Sequence, residues 1–118
     1  MRELVADLVR REGCDVEELA DGEQLLVRVV TAMLPRRQAS GIDLIVSDVR
    51  MPFCSGLDVL KKLRVAHRTT PVILMTAFGD PWLRERVQVL GGLLLDKPFK
   101  LQALRDAVRE LLPRAPPA

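Results

Sequence analysis

Three polar side chains close apolar runs in this sequence, and their chemistry is complementary: a carboxylate at Asp48, a hydroxyl at Thr76 and an ammonium at Lys97. Asp48 follows Leu44-Ile45-Val46-Ser47, Thr76 follows Pro71-Val72-Ile73-Leu74-Met75, and Lys97 comes just after Leu93-Leu94-Leu95. A carboxylate can serve as a nucleophile or cation ligand, a hydroxyl can donate to an anion, and an ammonium offsets negative charge. Gathered in one cleft, the three suit phosphoryl transfer, the first attacking phosphorus while the others stabilise its equatorial oxygens. Taken singly, each has a plainer role: Asp48 as a loop cap, Thr76 as a turn cap, Lys97 as solvated surface. Their joint placement at successive strand ends favours a site, because open parallel sheets bind ligands outside the carboxyl ends of their strands.

The elements that must position these groups follow from periodicity. Leu4, Val5, Leu8 and Val9 recur at helical spacing and stop at Gly13. Cys14 to Ala20 alternates loosely and predicts a short edge strand, after which Asp21 is placed to cap a helix running to about Met33. Arg36 to Gly41 reads as a loop. Leu44-Ile45-Val46 predicts a strand buried on both faces, and a helix with Leu57, Leu60 and Leu63 on one side follows from Gly56. Pro71 fits only the first position of the next strand. Asp80-Pro81 predicts the cap and first residue of a helix carrying Leu83, Val87 and Leu90. Leu93 to Leu95 is a further strand, and Leu101, Leu104, Val108 and Leu111 describe a last amphipathic helix ending at Pro113. Alternating strands and helices, with apolar central strands, predict an α/β fold: a parallel sheet of about four strands covered on both sides by about five helices.

Composition bounds the rest. The chain has 118 residues, enough for one core, and with 48% hydrophobic against 29% charged residues it is too apolar to remain disordered. Residues 1–112 are expected to form one domain and residues 113–118 a Pro-rich tail. Tyr is absent, and Phe53, Phe78, Trp82 and Phe99 are the only aromatics, so the core must be aliphatic. Stacking platforms for single strands are scarce and the net charge is only +2, which argues against direct nucleic-acid binding. Cys14 and Cys54 lack metal or redox spacing, and no run approaches the roughly 20 apolar residues of a membrane span. A cytoplasmic protein without a membrane partner is expected.

The segment from Asp43 through Asp48 to Met51-Pro52, followed by Ser55-Gly56-Leu57, resembles the phosphoacceptor strand and loop of response-regulator receiver domains. Met75-Thr76-Ala77 and Asp96-Lys97-Pro98-Phe99 resemble the other two signatures of that family, in order and spacing. Thr76 to Asp80 is similar to receivers attached to sigma-54 activators. The resemblance implies a flavodoxin-like fold with Asp48 as phosphoacceptor, Thr76 and Lys97 as its partners, and the Arg50 backbone carbonyl as a metal ligand beside Asp48. It also implies magnesium as cofactor, a sensor histidine kinase as partner, and a relay that is not itself an enzyme. The lone His67, in the polar stretch after a helix, is expected on a surface loop.

Two departures alter those expectations. Leu94 stands three positions before the lysine, where the family usually carries an aromatic switch residue. The apolar first strand and acidic pair of the family have no counterpart here, since Met1 already lies at the first helix. Without that pair, magnesium binding should weaken by roughly 1–2 kcal/mol per lost charge, and unpaired strand edges should favour self-association, as in a homodimer. The alternative function is a degenerate, non-phosphorylated receiver that binds proteins, presenting its last two helices and strand. A phosphatase-type hydrolase is more distant, since the only Asp close in sequence to Asp48 is Asp43, at the opposite strand end.

Overall fold

A computed structural model describes residues 2–33 and 41–112 of the chain. The element order is α1 (Arg2–Arg11), α2 (Gly22–Met33), β1 (Ile45–Asp48), α3 (Gly56–Val65), β2 (Val72–Thr76), α4 (Pro81–Val89), β3 (Leu93–Asp96) and α5 (Leu101–Leu111). The strands form one parallel sheet in the order β1-β2-β3, with Ile45 level with Val72 and Ile73 level with Leu93. Each strand therefore pairs with the next along the chain, through a helical crossover.

Alternation along the strands sends side chains to both faces of the sheet. On one face Ile45, Val72 and Leu74 pack with Val29 of α2, Leu57, Leu60 and Leu63 of α3, and Leu83 and Val87 of α4. On the other, Ile73 and Met75 pack with Val5 and Leu8 of α1 and with Leu104, Ala107 and Val108 of α5. The central strand β2 is buried at every residue, and each fully enclosed Leu or Ile contributes about 1.5–3 kcal/mol. Both layers are built mainly of aliphatic side chains, as the composition required, with Phe99 packed against the second.

Most boundaries fall where local chemistry puts them. Gly13 ends the turn after α1 at φ +87°, a conformation open to glycine. Asp21 accepts the Gln24 N–H at the start of α2, and Asp80 accepts the Leu83 N–H with Pro81 in the first turn of α4. Ser55 and Asp58 form a reciprocal capping box at the start of α3. Arg64 ties the far ends of two helices together, donating to the carbonyls of Leu90, Arg68 and Thr70 at 2.6, 2.9 and 2.9 Å. Its guanidinium thus answers carbonyls beyond the carboxyl ends of α3 and α4, although burial pushes its pKa below the usual arginine value.

One expected strand is corrected. Cys14 to Ala20 makes no ladder, and the sheet has three strands among the described residues instead of about four. An extended segment becomes a strand only against a partner, and no described strand pairs with it. Its side chains are engaged sideways: Glu18 pairs with Arg2 and Arg10, and Glu17 with Arg28. No described strand precedes α1, and β1 is left as an edge. His67 is exposed beyond the end of α3 at φ +59°. The expected loop at Arg36 to Gly41 lies almost wholly outside the described residues, and so does the tail at 113–118.

Candidate functional site

The parallel register brings three strand ends to one edge of the sheet. Asp48, the last residue of β1, stands level with Met75, and Thr76, the last of β2, stands level with Asp96 at the end of β3. Lys97 follows immediately, its N–H donating to the Thr76 carbonyl at 2.7 Å, and the Lys97–Pro98 bond is cis. From there Lys97 Nζ donates to Asp48 Oδ1 at 2.5 Å. The Asp48 side chain keeps 42% of its surface exposed, so the pair sits in a mouth open to solvent.

Thr76 is buried, and its Oγ1 accepts the Phe78 N–H at 3.1 Å. The hydroxyl is thus engaged with the loop into α4. The Arg50 guanidinium lies 5.3 Å from the Phe78 ring centroid, a cation–π contact that joins the loop after β1 to the loop after β2. Sequence reading missed three supports of the site. Gly56 lets α3 approach so closely that a Cβ there would lie 2.5 Å from the Asp48 carbonyl oxygen. Asp96 forms an ion pair with Arg84, which pushes the arginine pKa further up and ties β3 to α4. Asp58 completes the cap of α3. Only the last had a readable signal, the Ser55-x-x-Asp58 spacing; the Arg84–Asp96 pair has none.

A magnesium ion prefers about six oxygen ligands, and carboxylate charge holds it. Among the described residues no group of three or more His, Cys, Asp or Glu is placed to hold a metal. Asp48 is the carboxylate at this mouth, and one of its oxygens already accepts from Lys97. The described donor set therefore does not fit that ion.

A parallel sheet clothed by helices on both faces, with a carboxylate and a lysine meeting at its carboxyl edge, defines an α/β domain of flavodoxin-like layout. The family profile described as the response regulator receiver domain matches residues 1–109, and the chain belongs to that family. It is 32% identical over 114 residues to sporulation initiation phosphotransferase F of Bacillus subtilis, covering 96% of this chain and 86% of that protein. It is 38% identical over 117 residues to the transcriptional regulatory protein CpxR of Escherichia coli K12, covering 95% of this chain but only 44% of that relative's length. The structure of the Francisella response regulator 1452 receiver domain superposes with a TM-score of 0.78 at 27% identity, covering 93% of this chain and 85% of that one. The general role is thus in two-component signalling, where receivers typically partner with a sensor histidine kinase. Among the described residues no helix is long and apolar enough to cross a membrane.

Proposed function

We propose that this chain is a receiver domain that relays its signal by binding a partner protein, a sensor histidine kinase by family habit, without efficient phosphorylation and without an enzymatic activity of its own. The observation that carries this reading is the state of Asp48: its carboxylate is paired with Lys97, and no acidic cluster able to hold a divalent cation accompanies it among the described residues. A phosphoryl donor is itself anionic, so its approach to a carboxylate needs concentrated positive charge, and one lysine supplies little of it. Treatment with acetyl phosphate and magnesium, followed by borohydride reduction and mapping, is expected to leave Asp48 essentially unlabelled. Rapid, stoichiometric labelling would overturn the proposal.

The convergence of Asp48, Thr76 and Lys97 favours a second reading, in which Asp48 takes a phosphoryl group from a histidine kinase. Lys97 would then leave the Asp48 oxygen for a phosphoryl oxygen, and the Thr76 hydroxyl would turn from Phe78 to donate to another. The name of the Bacillus subtilis relative, a phosphotransferase, supports it as well. Under this reading the label falls on Asp48 alone, and adduct at Asp43 or Asp80 counts against it.

A further inference from the structure

We infer that the outer edge of β1 and the facing segment Cys14 to Ala20 form a slot for one extended, apolar strand of another polypeptide, inserted parallel to β1. Such docking is independent of whether Asp48 takes a phosphoryl group. The Ile45 and Val49 amides donate toward β2, so the Val46 and Asp48 amides face away from it. Across from them, Cys14 to Glu18 leave every backbone N–H and C=O unbonded among the described residues. Half-buried Cys14 and Val16 alternate with exposed Asp15 and Glu17, the period of an extended backbone.

The segment and β1 run side by side in the same direction. At the start, burial and then the Asp43 carboxylate push up the Cys14 thiol pKa, which sets Cys14 near the entry to β1. At the end, a Cβ on Gly22 would lie 2.3 Å from the Cys54 carbonyl oxygen and 2.7 Å from that of Pro52, in the loop that leaves β1. α1 packs with α5 on one face of the sheet and α2 with α3 on the other, so the segment joining α1 to α2 passes around the β1 edge. Neighbours matched at both ends yet sharing no ladder stand farther apart than the roughly 4.8 Å of paired strands. A strand between them would find backbone partners on both sides.

Backbone and layers together select the occupant. Both walls are unpaired, so the entering strand needs two free edges. Each described strand of a second copy already pairs with a neighbour, which removes β1, β2 and β3 as donors. The Cys14 to Ala20 segment of a second copy carries Asp15, Glu17 and Glu18, which do not suit the inside of a sheet. Leu25 and Ile42 on one face of this edge, and Val9, Leu44 and Val46 on the other, are apolar and only partly buried. A strand lying between those layers has to be apolar on both faces, as parallel strands rich in Val and Ile are. The occupant is therefore a separate segment of about five β-branched residues, enough to span Leu44 to Asp48.

The test uses the whole chain and a fluorescein-labelled peptide whose core of about five Val and Ile residues is flanked by lysines for solubility. Two further peptides carry N-methyl groups on alternate core residues, one on the odd and one on the even positions. Alternate amides of a strand point to opposite edges, so each methylated peptide keeps one edge and loses the other. The parent peptide should saturate in anisotropy, and both methylated peptides should bind at least about tenfold more weakly. Hydrogen exchange should slow on both walls together, at Val46 and Asp48 and within Cys14 to Glu18. A peptide that merely lengthens the sheet at β1 needs a single edge, and the methylated peptides would then match the parent. That result, no saturation, protection confined to β1, or walls already protected without peptide would overturn the inference.

Discussion

The two thiols show how a single side chain takes its reactivity from its surroundings. Burial pushes the pKa of Cys14 above its ordinary value of 9.0, reinforced by Asp43, Glu12 and Asp15. Burial does the same for Cys54, with Asp58 adding to the rise and Lys62 opposing it. Both residues therefore keep their protons at neutral pH, and the thiolate is the reactive form. Labelling by a disulfide reagent at pH 7 should be slow in the folded protein, faster above pH 9, and fast at both sites in urea. Equal rates with and without urea would contradict this. The linkage has a definite sign: above the ordinary thiol pKa the folded chain retains protons that the unfolded chain has lost, so stability falls as pH rises beyond about 9. At this scale the sequence disclosed Asp48 and Lys97, because a polar residue closing an apolar strand must emerge at the sheet edge. The direction of the Thr76 hydroxyl was hidden, since it depends on the Phe78 N–H in a loop with no periodicity.

Elements meet most tightly where glycine permits it. A Cβ at Gly56 would lie 2.5 Å from the Asp48 carbonyl oxygen and 2.7 Å from Leu74 Cδ2, so either α3 or the end of β1 must move to admit one. Gly56→Ala should destabilise the fold by about 1–3 kcal/mol, seen as a lower urea midpoint with an unchanged slope. An unshifted midpoint would mean that the junction yields freely. Caps such as Asp21 and Asp80-Pro81 were legible because they act on their own backbone within a few residues. Cys14 to Ala20 was misread for the converse reason: alternation records which side chains suit a strand, but a strand exists only where a neighbour completes its hydrogen bonds, and that neighbour is not encoded in the segment. The Arg64 clasp was equally invisible, as its farthest acceptor lies 26 residues away.

Across the whole molecule, the open side of β1 is the feature with the widest reach. The Ile45 and Val49 N–H groups donate to Pro71 and Met75 of the β2 segment, so the intervening Val46 and Asp48 amides turn to the outer edge. Hydrogen exchange at Val46 and Asp48 should be at least about a hundredfold faster than at Ser47 and Val49 in dilute solution. Protection should rise with concentration if chains associate through this edge, and sedimentation should track it; exchange that is uniformly slow at all concentrations would refute an open edge. The layer order of the fold was readable because apolar strands alternate with amphipathic helices throughout. The same connectivity sets a timetable for assembly. From Ile45 onward every strand finds its partner in the next one, through short loops, whereas the amino-terminal third joins the rest through helix contacts, α1 on α5 and α2 on α3. Glu12 meets Arg109 at a sequence separation of 97, among the most distant closures of the described residues. During synthesis α1 is made well before α5, so its apolar stripe waits in water until its seat on α5 has followed.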